Sequence, residues 1–253
     1  MVVLDLNADL GEGCGDDEAM LAVVSSANVS CAAHAGTWEG IERTLALAVA
    51  HGVSVGAHVA YPDREGFGRR PMDVEHDALV DMVRNQILDL TERAARVGAT
   101  VRYVKPHGAL YHRIVNDPAA AAAVTEAVAL ADPGLGVLCL PGSQAHAEAR
   151  RRGLSVFDEV FADRSYQPTG ELTPRGTSDA VLHDPQLVAQ RVLRMATHGE
   201  IEAVDGTVLR VRPHSVCVHG DNASAVRIAH AVAQRLRAAG VHIASPYAAG
   251  GGP

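Results

Sequence analysis

Short β-branched runs alternate with helical patterns along almost the whole 253-residue chain, and that rhythm restricts the fold more than any other feature. Runs at 2–9, 28–34, 54–59, 101–107, 136–141, 156–163 and 215–221 read as strands. Apolar residues at helical spacing mark 18–26, 38–51, 75–97, 118–131, 144–152, 185–198 and 223–239. Strand and helix in alternation predict a parallel sheet joined by helical crossovers. Seven strands of near-continuous apolar character predict a closed or nearly closed α/β barrel, since an open sheet would show a more polar edge strand. No linker divides the chain, so one domain over 1–253 is expected.

Two segments break the rhythm. FGRRPMD (67–73) is a basic loop broken by Gly and Pro, and 163–184 is long and aperiodic. Loops of that length in compact domains carry function or are disordered. Residues 200–212 alternate about Asp205-Gly206, a two-residue hairpin signal.

Composition removes several function classes. A net charge of -8, 4% aromatic residues and no basic stripe argue against nucleic acid as a partner. Asp5, Asp9, Glu12, Asp16, Asp17 and Glu18 are incompatible with the cationic start of a signal peptide. The most apolar helical stretch, 119–130, is too short and alanine-rich to span a bilayer, so no membrane association is expected. The four cysteines form no CxxC pair and three lie in apolar runs, which predicts reduced thiols and a cytoplasmic location.

Polar residues gather where the strands end. Asn7, Asp9 and Glu12 follow the first run, His34 the second and His58 the third; Lys105 and His107 close the fourth, Asp163 and Arg164 the sixth, His219 and Asp221 the seventh. Parallel barrels assemble their active sites at this end, from several strands at once. Helix capping is the competing use, above all for Asp16-Asp17 and Asp221-Asn222.

Lys105 is the chain's single lysine; every other cationic side chain is an arginine. A compact ammonium can be desolvated, lose its proton or act as a point charge, none of which guanidinium does readily. Pro106 restrains Lys105 to extended geometry at the barrel mouth. His34 and His58 with Asp9 make a conceivable two-His, one-carboxylate divalent metal site, without a local ligand spacing such as HxxxH to support it. A metal-free network shuttling protons is the alternative. Arg69, Arg70, Arg164 and Arg175 can grip a carboxylate or phosphate, and the glycines of GEGCG (11–15) can present N–H groups to an anion. No GxxxxGK[ST] occurs, so ATP would need a site of another kind.

Taken together, DLNADLGEG (5–13), SSANVSCAAHAG (25–36), VGAHVAYPDREGFGRR (55–70), VKPHGALYH (104–112), EVFADRSY (159–166) with Gly170 and Arg175, and CVHGDN (217–222) resemble the LamB/YcsF family. These are the A subunits of bacterial ATP-dependent 5-oxoprolinases. The resemblance implies a TIM-like (β/α) barrel of about seven parallel strands, related to glycoside hydrolases and polysaccharide deacetylases. It also implies conversion of 5-oxoproline and ATP, with Mg2+, to glutamate, ADP and phosphate, in company with separate B and C subunits. On that footing Lys105, His107, Asp9, Glu12 and Asp221 are expected to be catalytic. Asn7, His34, His58, Arg70, Arg164, Arg175 and His219 are expected to hold the substrate. Three departures stand out: Ala32-Ala33 for the usual Gly-Phe, Thr37 for an acid, and Val59-Ala60 for Pro-Gly. Two rival readings are a metal-dependent amide or N-acetyl hydrolase acting alone, and a non-catalytic substrate-binding subunit.

Overall fold

The computed structural model describes residues 2–219 and 224–247. In chain order the elements are β1 (Val3–Leu10), α1 (Asp17–Leu21), β2 (Ser26–Ser30), α2 (Trp38–His51), β3 (Ser54–His58), α3 (His76–Arg96), β4 (Val101–Val104), α4 (Gly108–Asn116) and α5 (Pro118–Ala131). They continue as β5 (Gly136–Cys139), α6 (Gln144–Arg151), β6 (Val156–Phe161), α7 (Pro185–His198), β7 (Glu200–Glu202), β8 (Val208–Arg210), β9 (Ser215–Cys217), α8 (Ala225–Ala238) and β10 (His242–Ile243). β1, β2, β3, β4, β5, β6 and β9 pair in parallel, and the β9–β1 pairing closes the ring. The result is a seven-stranded TIM-like α/β barrel. β7 and β8 form a hairpin around Asp205-Gly206, with Gly206 at φ 87°, but the connection runs over 203–207 rather than two residues.

β1 shows how the wall is built. Leu4, Leu6, Ala8 and Leu10 are buried, as are Asp5, Asn7 and Asp9 between them. A strand's side chains alternate between faces, so one set packs on the helices and the other fills the interior. The strands are therefore not uniformly apolar, as the sequence pattern suggests: β1 is apolar on one face and polar on the other. Ser26 and Asn28 on β2, Glu159 on β6 and Ser215 on β9 continue the inner set, each 0% exposed. Below them, Tyr103, Leu138, Phe157 and Tyr247 form a small apolar plug separate from the main core. Tyr103 fits there because Gly56 has no side chain; a Cβ at Gly56 would lie 2.3 Å from the ring.

Several boundaries differ from expectation, and the strands expected at 101–107, 136–141, 156–163 and 215–221 end earlier, at Val104, Cys139, Phe161 and Cys217. The second strand is Ser26–Ser30 rather than 28–34, because its inward Ser26 disguises its start as a loop. It ends where the Ser30 hydroxyl donates to the Ala35 carbonyl at 2.9 Å and turns the chain, leaving His34 in a loop. The first helix is correspondingly short. α4 and β10 carry no signal in the pattern: α4 starts at Gly108, φ +54°, soon after the fourth strand ends at Val104, and β10 is two residues long. No single helix among the described residues is long and apolar enough to cross a membrane.

Candidate active site

At the carboxyl ends of the strands lies a cavity of about 440 Å³. Asp9, His58, Lys105, His107, Arg164, Arg175 and His219 line it, with Arg69, Tyr111, His112 and Phe161. Asn7, Glu12 and His34 lie behind that lining. Arg70 is elsewhere: its side chain is 58% exposed and pairs with Asp63 at 3.5 Å and Glu65 at 3.3 Å. The loop turns its neighbour Arg69 to the cavity instead, a difference that two adjacent arginines in an aperiodic segment cannot reveal. Asp221 falls outside the described residues.

Lys105 is 2% exposed. Its Nζ lies 2.8 Å from Glu159 Oε1, 3.1 Å from Asp9 Oδ1, 3.1 Å from Cys217 Sγ and 3.3 Å from Asn7 Oδ1. Burial works against its charge, but Asp9, Cys217 and Glu159 outweigh that and hold the ammonium well above its ordinary range. Of the roles open to a lone lysine, this environment supports the fixed point charge and not the base. Asp9 is the counterpart: burial opposes its ionisation, and His58 and Lys105 keep it well below the usual carboxylate range. The Asn28 amide donates to Asp9 Oδ1 at 2.8 Å and to Asn7 Oδ1 at 2.7 Å, while Tyr103 Oη donates to Asn28 at 2.7 Å. Glu159, Asn28 and Tyr103 escape a search of strand ends because they sit within the strands.

A histidine cluster forms the other half. His58 Nδ1–H donates to the Lys105 carbonyl at 2.9 Å, and His107 Nε2–H donates to the Phe67 carbonyl at 2.9 Å. Their remaining nitrogens, His58 Nε2 and His107 Nδ1, face each other at 2.9 Å. His34 stacks on His107 with ring centroids 4.0 Å apart, and its Nε2 is 2.9 Å from Glu12 Oε1. Burial first, then the neighbouring His58, lowers the pKa of His107 well below normal; His34 is also lowered by burial. For His58, burial is outweighed by Asp9 and the pKa is raised.

Backbone strain surrounds this cluster. Ala32 and Phe67 are the described non-glycine residues with positive φ, at 60° and 55°. Each such conformation costs roughly 1–2 kcal/mol and persists where the surroundings enforce it. At Phe67 the strain aims the carbonyl that receives His107. Gly68, φ +67°, allows the loop this close: a Cβ there would sit 2.9 Å from His107 Cδ2 and from His34 Cβ.

Also lining the cavity, His219 donates from Nδ1–H to Asp163 at 2.8 Å. Asp163 is 1% exposed; burial raises its pKa, and the His219 ring more than reverses that. The pair commits Nδ1 as the donor and fixes the orientation of the ring. Arg164 does more than face the cavity: its Nε donates to the Ala180 carbonyl at 3.2 Å and its Nη2 to the Thr173 carbonyl at 2.5 Å, stapling the 163–184 loop. Burial and Arg175 bring its pKa down to about 10.

The Gly-rich turn after β1 serves the fold. The Gly11 amide donates to Asp17 Oδ2 at 2.9 Å, and the Thr44 hydroxyl donates to the same oxygen at 2.5 Å. Asp16 caps α1, accepting from the Ala19 amide at 3.0 Å. The departures Ala32, Ala33, Thr37, Val59 and Ala60 are absent from the cavity lining. Thr37 caps α2, accepting from the Gly40 amide at 3.2 Å, a task an acid performs equally well.

The comparisons with known proteins agree with this architecture. The LamB/YcsF family model matches residues 4–250. The A subunit of 5-oxoprolinase from Mycobacterium avium (strain 104) is 55% identical over 248 residues, 96% of this chain and 98% of that one. The crystal structure of the lactam utilization protein from Thermus thermophilus superposes with TM-score 0.91 at 40% identity, covering 96% of this chain and 99% of that chain. The polysaccharide deacetylase Bc1974 from Bacillus cereus shares the fold alone, with TM-score 0.51 at 14% identity, covering 100% of this chain and 96% of the other. A profile match over nearly the full length, together with these relatives, establishes that the chain belongs to the LamB/YcsF family.

Proposed function

We propose that this chain is the lactam-processing A subunit of a cytoplasmic ATP-dependent 5-oxoprolinase, working with B and C subunits. It would open 5-oxoproline to L-glutamate with hydrolysis of ATP to ADP and phosphate. The observation that carries the reading is the Lys105 ammonium, buried between Asp9 and Glu159 in a cavity whose lining also includes Arg69, Arg164 and Arg175. The names borne by the Mycobacterium avium and Thermus thermophilus relatives point the same way.

A five-membered lactam is a stabilised amide, so its oxygen must become part of a better leaving system before water can add. Transfer of the γ-phosphoryl group of ATP, a co-substrate with its Mg2+, to that oxygen does this. Water then adds to the carbon, the C–N bond breaks, the nitrogen takes a proton, and a second water releases phosphate. The guanidinium wall suits the substrate carboxylate or phosphoryl oxygens. The three protons of Lys105 are already shared among Glu159, Asp9, Asn7 and Cys217. Lys105 therefore acts through its field, steadying negative charge that develops on the reacting oxygen. His219, oriented by Asp163, is the best placed group to take the proton from water and return it to the departing nitrogen. Asp9, held ionised, is too weak a base for that task.

The test is reconstitution of the chain with its B and C subunits and measurement of ATP-dependent glutamate formation from 5-oxoproline. Glutamate and ADP produced in step would support the reading. Full activity from B and C alone would defeat it.

A further inference from the structure

His58 Nε2 and His107 Nδ1 face each other at 2.9 Å, and each ring has already committed its other nitrogen as a donor to a backbone carbonyl. In two neutral rings this sets lone pair against lone pair. Something positive must lie between them. Carbonyl acceptors on the far nitrogens are the arrangement that metal-binding histidines use to fix their tautomer and aim their lone pair.

We propose that Glu12, His34, His58 and His107 form a binding site for one divalent transition-metal ion of the zinc class. The four donor atoms, Glu12 Oε1, His34 Nε2, His58 Nε2 and His107 Nδ1, all lie within 4.8 Å of one another. A four-coordinate ion with bonds of about 2.0–2.1 Å holds neighbouring donors about 3.3 Å apart. The separations here are 2.9 Å for Glu12–His34, 2.9 Å for His58–His107, 3.6 Å for Glu12–His107 and 3.9 Å for Glu12–His58, which straddle that value. Three imidazoles and one carboxylate select zinc, cobalt, nickel or iron over Mg2+, so this ion is distinct from the one that accompanies ATP. Asp9, with Oδ2 3.4 Å from His58 Nε2, offsets the charge that one carboxylate leaves uncompensated.

The strained Phe67 carbonyl and the glycine at 68 fit the same purpose, for they lock His107 against His34. A second group of potential ligands, Asp9, Cys217 and His219, is a poorer home for a cation. Lys105 Nζ already stands 3.1 Å from both Asp9 Oδ1 and Cys217 Sγ and would have to be expelled. His58 and His107 also line the cavity, so the ion would look onto the space where the lactam is proposed to bind. That last link rests on the proposed function; the binding of the ion does not.

The experiment uses the full chain, stripped with chelator and then titrated with Zn2+ or Co2+ by calorimetry, elemental analysis and visible absorption. One ion per chain is expected, with a cobalt spectrum typical of low coordination number. His107→Ala and Glu12→Gln should each weaken binding by at least about 10-fold, and His219→Ala should leave it unchanged. Circular dichroism of each variant checks that the fold survives. Failure to bind either ion, or binding indifferent to both His107→Ala and Glu12→Gln, would overturn the site and identify the positive species as a proton. Addition of 5-oxoproline should shift the cobalt bands. An unmoved spectrum from a chain that binds cobalt would uphold the ion site and count against the lactam reading.

Discussion

Glu159 Oε1 lies 2.8 Å from the Lys105 ammonium, and neither residue is more than 2% exposed. The lysine's charge is thus balanced from within the barrel by a carboxylate out of reach of substrate, which leaves Asp9 as the partner on the cavity side. A guanidinium, wider and planar, cannot occupy the same position between Asn7, Asp9, Glu159 and Cys217.

Lys105→Arg and Lys105→Met should therefore both lower kcat/KM of the reconstituted enzyme by about 100-fold or more. The methionine variant also strands two buried carboxylates and should lose about 3–5 kcal/mol of stability in urea unfolding. An arginine variant as active as the parent would refute the point-charge role.

Asp163→Asn removes the acceptor that orients the His219 ring. The expected result is a fall in kcat of about 100-fold or more with little change in KM, and an altered pH–rate profile. An equal loss confined to KM would make the pair a binding device instead.

Adjacent loop arginines should behave differently. Arg69→Ala, at the cavity, should raise KM for an anionic substrate by about 10-fold, whereas Arg70→Ala, exposed and paired with acids, should leave steady-state kinetics within about 2-fold of the parent.

Asp5 gives a pH-dependent stability with a definite sign. Burial raises its pKa from 3.8 to about 6, against the lowering effect of hydrogen bonds from Ser215, Ser25 and Ser26. The unfolded chain loses the proton first, so stability from this group declines as pH rises from 3.8 to about 6. The decline is on the order of 3 kcal/mol. Because Asp9 and Asp163 shift the opposite way, the readout is the difference between parent and Asp5→Asn in urea unfolding across that window. Parallel curves would show that Asp5 is not perturbed.

Ala32 occupies a left-handed conformation, φ 60°, which glycine adopts without steric cost. Ala32→Gly should raise stability by up to about 1 kcal/mol, after the glycine's extra unfolded-state entropy is counted. A loss in thermal unfolding temperature would show that the surrounding loop has adapted to the methyl group.

Much of the site is legible in the chain because a parallel barrel delivers chemistry to one end of its strands. His58, Lys105, His107, Asp163 and His219 follow from that rule alone. Glu159, Asn28 and Tyr103 escape it, since a polar residue inside a strand reads as an edge or a loop until the barrel is known to hold a polar interior. His34 satisfies the rule for the wrong local reason: it belongs to a turn set by Ser30, not to a strand end. The fold is legible from alternation, but α4 is not, since only residues 105–107 separate it from the fourth strand and the pattern runs them into that strand.

The pairing of β1 with β9 joins residues 210 positions apart, such as Asp5 and Ser215. A chain emerging from the ribosome therefore keeps β1 waiting until the 210 positions that separate the two residues have been made. Until that seam is sewn, the inward acids and amides of β1 remain wetted and the cage around the lone ammonium has one side missing. Maturation of this protein is in that sense governed by synthesis of β9, and a pause at any point between the two strands prolongs the open state.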